Sequence, residues 1–304
     1  MTVGGPRRAS GATGNVTGAS GATGNVTGAS RATGNVTFRN RISGLPAPWW
    51  VYLIAAVGVT VIVLPPLALV LKTPWDTFIE QVTSQSSRDA LRLSLQTAAA
   101  TTVLCVLLGV PMAVVFSRHD GLLVRVIRSL VLLPLVLPPV VGGLALLYTF
   151  GRLGILGGPM REAGIDIAFT TTAVILAQTF VALPFMVISV EGALRTAGTR
   201  YEDVAATLGA SPTRVLWKVT VPLVAPSVLA GLVLSFARAL GEFGATITFA
   251  GNAPGVTQTA PLAIYVAAID DPQQAIPMSL LLVLISLIVV VGVHSRRRRG
   301  VSRG

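Results

Sequence analysis

Six runs of apolar residues, each long enough to cross a bilayer, constrain this chain more than any other feature. A hydrocarbon core of about 30 Å takes about 20 helical residues to span. The runs fall at about Trp49 to Leu71, Leu93 to Phe116, Leu130 to Phe150, Thr170 to Val190, Val221 to Leu240 and Ile276 to Val293. They are continuous rather than alternating, so helices that satisfy their own backbone are expected and barrel strands are not. The expected fold class is all-α, a polytopic membrane protein with about six transmembrane helices. Composition agrees, because only 12% of the 304 residues are charged and 52% are hydrophobic, whereas soluble domains carry about 25% charged residues. Trp49, Trp50 and Tyr52 open the first run as an interfacial belt.

The formal charge of +11 would point to nucleic acid in a soluble protein. Its distribution gives another reading. With the N-terminus inside, 17 Lys and Arg fall on cytoplasmic segments and 5 on external ones, and Arg238 lies within a span. That bias predicts a multi-pass protein of the cytoplasmic membrane with both termini inside. The expected partner of the basic residues is the lipid bilayer, with no nucleic acid. Arg296 to Arg299 read as a stop-transfer anchor that also touches anionic lipid.

Three regions follow. Residues 1–44 form a tail in which residues 8–37 are three copies of a decapeptide, RASGATGNVT and two variants. The unit is too small and polar to offset its ordering entropy, so disorder is expected. Asn15-Val16-Thr17 and its repeats fit the glycosylation triplet, but copying of the unit explains them. Residues 45–295 form the transmembrane domain, with a cytoplasmic loop at 192–220, and residues 296–304 form a basic cytoplasmic tail.

The loop between the fourth and fifth runs has structure of its own. Tyr201 to Leu208 suits a helix, with Val204 and Leu208 on one face. Gly209 follows as a residue that must take positive φ. Ser211 and Pro212 restart a helix as N-cap and first-turn proline. Val215, Leu216 and Val219 form its apolar side, and Pro222 opens the fifth span. The expected result is a short helix standing off the membrane.

This loop resembles the coupling motif of ABC importer permeases, E-A-A-x3-G-x9-I-x-L-P. Anchored on Gly209, the chain places Asp203, Val204 and Ala205 before it and Val219, Val221 and Pro222 after it. Four positions differ conservatively, and Glu202 stands beside the position where Asp203 replaces Glu. The resemblance implies a type I ABC importer permease fold. It implies that Glu202, Asp203, Ala205, Gly209 and Pro222 couple the chain to an ATPase. Two permease subunits, expected to be a homodimer, would pair with two ATP-binding cassette subunits. No G-x4-G-K-[ST] sequence occurs here, so no cofactor is expected in this chain and ATP would be bound by the partner.

Residues 237–265, ARALGEFGATITFAGNAPGVTQTAPLAIY, resemble molybdate permeases closely and sulfate permeases less closely, and residues 130–157 resemble the molybdate group too. The similarity runs over about Asp89 to Arg299. It implies import of molybdate, with tungstate and sulfate as alternatives, and an extracytoplasmic oxyanion-binding protein as a further partner. The candidate translocation path is Arg238, Gly241, Glu242 and Gly244. An intramembrane charge is expensive and tends to face a pathway or a partner. Arg238 and Glu242, four residues apart, either pair to fix the helix end or assist anion passage. The segment Thr246 to Ala275 has no Lys or Arg, but it carries Asn252, Thr257, Gln258, Thr259, Asp270 and Asp271. It reads either as a docking surface for the binding protein or as a plain polar loop.

Pro134, Pro138 and Pro139, with Gly142 and Gly143, make the third run bendable. They are a candidate gating hinge, or a site of close helix packing. Arg88 and Arg92 suggest a short amphipathic lead-in to the second span. Cys105 is alone and reads as packing. His119 and His294 have no metal-ligand spacing, and no G-x-S-x-G or H-E-x-x-H occurs, so the chain is read as a transporter subunit and not an enzyme. A channel or secondary transporter that needs no ATPase is the alternative class, opposed by the coupling motif.

Overall fold

The computed structural model describes residues 48–301, with side chains to Gly292. The expected repeat tail lies outside the described residues. The chain divides into two units, residues 1–52 and 53–304. Of the first, residues 48–52 are described, and helix α1 (Trp49–Lys72) begins there. The second holds the bundle. Among the described residues the secondary structure is helical, with no strand.

Five helices are long and apolar enough to cross a membrane. They are α1, α3 (Gln85–Arg118), α7 (Thr171–Ala197), the helix Pro212–Leu240 and α13 (Pro272–Val301). Short helices α2 (Phe78–Val82) and α6 (Gly157–Glu162) occupy connections. The amphipathic lead-in predicted at Arg88 and Arg92 is the first part of α3 itself, which at 34 residues extends about 50 Å.

The third run is not one helix, which corrects the reading of a single span from Leu130 to Phe150. It consists of α4 (Leu122–Leu132), a short 3-10 turn (Leu133–Leu135) and α5 (Pro139–Phe150), bent by 117°. The cause is local. A proline drives the residue before it out of the α region, and consecutive prolines do so twice. Pro138 sits at ψ 133 for this reason. Pro139 then restarts the helix at a position whose missing N–H costs nothing.

The fifth span also begins earlier than expected. The short helix α9 (Pro212–Val215) continues through a π turn (Leu216–Thr220) into α10 (Val221–Leu240). Pro222 therefore lies within a continuous helix and does not open it. Its ring clashes with the carbonyl four residues back in a regular α-helix, and the wider π turn just before it relieves that crowding.

The core is the packing of α3, α7 and α10. Met186 on α7 is fully buried and wedged between two glycines. A Cβ on Gly109 of α3 would lie 2.8 Å from Met186 Cγ, and one on Gly231 of α10 would lie 2.8 Å from Met186 Sδ. Small residues let helices approach where lipid gives no hydrophobic drive. A polar tie adds direction: Gln178 donates to Thr97 Oγ1 at 3.2 Å and accepts from Thr101 Oγ1 at 3.1 Å, all three buried. Cys105 is buried in this core. From Leu53 onward α1 buries no residue, so its apolar surface faces lipid or another subunit.

Candidate functional site

The loop that resembles the coupling motif begins as a short helix, α8 (Arg200–Thr207). Gly209 has φ +80 and closes it. Its N–H donates to Ala206 O at 2.9 Å, and Ala210 N–H donates to Ala205 O at 3.1 Å, the paired bonds of a Schellman closure. Ala205 thus supplies a carbonyl to the turn. Ser211 takes N-cap backbone angles before Pro212, although its hydroxyl makes no capping bond. Tyr201, Val204 and Leu208 stand exposed along one side, with Leu208 82% exposed. Trp217 is exposed on the next helix. An apolar ridge on an otherwise polar loop marks an interaction surface.

The two acidic residues of the loop diverge. Asp203 is exposed and accepts from Thr199 Oγ1 at 2.8 Å, a bond local to the start of α8. Glu202 turns inward. It accepts from Arg118 Nη2 at the end of α3 at 3.0 Å, and from Thr220 Oγ1 in the π turn. Beside it lies an ion network that the residue pattern did not single out. Glu191 pairs with Arg128 at 3.0 Å and with Arg195 at 2.9 Å, and Arg195 reaches Asp120 at 3.1 Å. Both arginines also donate to the Phe116 carbonyl. That carbonyl is among the last of α3 and has no helical partner, and cations there also complement the helix dipole. The visible signal was Glu191 four residues before Arg195, a helix-face pair.

At the opposite end, α10 finishes at Leu240 and a tight turn through Gly241 leads to α11 (Gly244–Phe249). Arg238 Nη1 lies 2.6 Å from Glu242 Oε2, and Glu242 is 1% exposed. The approach is close but poorly aligned, so Oε2 has an ion contact and no directed hydrogen bond. The other carboxylate oxygen, Oε1, accepts from Ala245 N at 2.8 Å and so holds the first turn of α11. Gly244 packs on Pro139, where an added Cβ would come within 2.7 Å. The candidate path and the candidate hinge therefore meet at one contact. Gly143 of α5 lies so close to α11 that a methyl would overlap Thr248 Oγ1. Pro134 is half-buried and Pro138 exposed at the bend.

The segment expected to be a polar surface loop is instead largely packed. Thr246, Thr257 and Thr259 are fully buried, which removes them from any surface of the single chain. Thr257 Oγ1 accepts from Ala253 N at 2.8 Å. Ser94 of α3 accepts from Ala260 N at 2.7 Å, tying the start of α12 (Ala260–Asp270) to the bundle. Asp270 remains exposed, while Asp271 and Gln258 are half-buried.

Residues 105–299 match the family described as binding-protein-dependent transport system inner membrane component. The chain belongs to that family. It is 59% identical to the molybdenum transport system permease protein ModB of Mycobacterium tuberculosis over 249 residues, 82% of this chain and 94% of the relative. It is 42% identical to ModB of Escherichia coli K12 over 184 residues, 58% of this chain and 77% of that one. Among solved structures, a bacterial ABC transporter importing the acidic polysaccharide alginate matches with TM-score 0.62 at 16% identity, covering 83% of this chain and 96% of that one. The inward-facing MetNI methionine transporter matches with TM-score 0.54 at 18% identity, covering 71% and 99%. At such identities the likeness concerns the fold, which is the type I importer permease architecture. The chain is thus a membrane-spanning translocation component.

Proposed function

We propose that this permease carries molybdate inward across the cytoplasmic membrane, energised by a separate ATPase. The observation that carries the reading is the 59% identity with a molybdenum transport permease over 82% of the chain. Two copies of the permease, two ATP-binding cassette subunits and an extracytoplasmic oxyanion-binding protein make up the working assembly. ATP is bound by the partner subunits, and this chain needs no cofactor. Both termini face the cytoplasm, in keeping with the basic residues gathered where α3, α4, α7 and α8 meet.

In this reading the exposed ridge of Tyr201, Val204 and Leu208 enters a groove on the ATPase, and Gly209 sets its angle. Asp203 faces that partner. The path for the anion passes the turn at Arg238, Gly241, Glu242 and Gly244. Pro134, Pro138 and Pro139 supply the bend against which that turn moves. Uptake of labelled molybdate in cells with and without the gene, with excess sulfate as competitor, tests the reading. Gene-dependent uptake that resists sulfate is expected. Uptake abolished by sulfate would move the substrate to sulfate, and no uptake of either would discard the oxyanion.

A further inference from the structure

We propose that Glu202, Arg118 and Thr220 form an internal strut that carries displacement of the coupling helix into the bundle. This is a positioning role distinct from docking on the ATPase, and it rests on the reading of the chain as an ATP-driven molybdate permease. Glu202 and Asp203 are neighbours with opposite aims. The Glu202 side chain is only 18% exposed, and one of its carboxylate oxygens takes both Arg118 and Thr220. Thr220 is fully buried in the π turn that leads into α10. Among the described hydrogen bonds and ion pairs, these two are what connect the α8 side chains to the rest of the bundle.

The receiving end is stiff. Arg118 lies two residues beyond Phe116, whose carbonyl is held by Arg128 of α4 and Arg195 of α7. Glu191 joins those two arginines. A push on α8 therefore reaches the end of α3, the end of the π turn where α10 begins and, through the shared carbonyl, the helix α4 that leads to the 117° bend. Without the strut, α8 would be joined to the bundle by loop backbone and the packing of α9, and part of its motion would dissipate in the turn at Gly209. Partly exposed ion pairs contribute little to stability, so removing this one should disturb transmission more than folding.

The test uses the complete importer, permease with ATPase and binding protein, reconstituted in liposomes, and reads molybdate moved per ATP hydrolysed. Arg118→Gln is expected to lower that ratio by about five-fold or more. Adding Glu202→Gln should lower it no further, because both remove one link, and the exchange R118E/E202R should recover part of the loss. A wild-type ratio in Arg118→Gln, or a double variant with multiplied losses, overturns the strut. If Arg118→Gln does not assemble, Thr220→Val keeps the side-chain shape, and an unchanged ratio there overturns it equally. A wild-type complex that hydrolyses ATP without moving molybdate would overturn the functional reading beneath it, a result distinct from normal wild-type transport with unaffected variants.

Discussion

The two ends of the bundle are built from different materials. At the loop end, long charged side chains join separate helices, Arg118 to Glu202 and Arg128 to Glu191, and Arg195 of α7 reaches Asp120 in the connection after α3. At the opposite end, helices touch backbone to backbone at Gly143 and Gly244, and hydroxyl or carboxylate oxygens hold N–H groups of short helices. Long charged side chains reach between elements whose backbones stand apart. Close packing leaves no such gap, because dispersion and overlap change steeply with distance. The comparison teaches that one end is joined through charges reaching across gaps and the other through contacts with no room to spare.

The sharpest way to break this contrast is Arg238→Ala. It leaves the Glu242 carboxylate buried without its ion partner, and removing one member of a buried pair costs about 3 kcal/mol or more. A marked drop in melting temperature in detergent is expected, with most of it regained in Arg238→Met/Glu242→Gln. Wild-type stability in Arg238→Ala would mean the pair does not fix this end. Gly143→Ala comes next. Its methyl would overlap Thr248 Oγ1 and crowd the Ala245 backbone, an overpacking penalty of about 1–3 kcal/mol. The same melting assay reads it, and an unaffected protein would show that α5 and α11 can separate freely.

At the other end, Gly209→Val should cost about 1–2 kcal/mol, through the left-handed backbone alone, since nothing lies within 4 Å of an added Cβ. Its main expected effect is reduced co-purification of the ATPase while the permease still inserts in the membrane. Normal co-purification would sink the assigned bend. The smallest effect on stability belongs to Leu208→Ser, at an 82% exposed position. Its melting curve should match wild type while ATPase binding weakens. Loss of stability there would place Leu208 in the fold and not in the docking ridge.

Much of the coupling loop was legible because its signals are local. Gly209 followed by Ser211-Pro212 states where one helix ends and the next begins, since the backbone preferences of these residues act within two or three positions. The divergence of Glu202 and Asp203 was not legible. Both are acidic residues in the first turn of one helix, and only the arrival of Arg118, 84 residues away in sequence, distinguishes them. The third run misled for a related reason. Its composition is apolar throughout, so hydropathy reads one span, while the turn at Pro138–Pro139 folds it back on itself. The segment after Gly241 misled by its polarity. Thr246, Thr257 and Thr259 look solvent-facing in sequence, yet all three are buried by the packing around them, and of their hydroxyls only that of Thr257 meets a backbone group, the Ala253 N–H.

By itself, the sequence determined the membrane-spanning helical class, the approximate places of the apolar runs and the helix-ending turn at Gly209. Each follows from hydrophobic length, basic-residue asymmetry or backbone preference, and those forces act on neighbouring residues. Tertiary structure alone decided which charges pair, which glycines are contact points and which threonines are buried. Those outcomes depend on helices far apart in sequence meeting within a few ångströms, a distance at which Coulomb attraction and atomic overlap vary too sharply for the order of residues to prescribe.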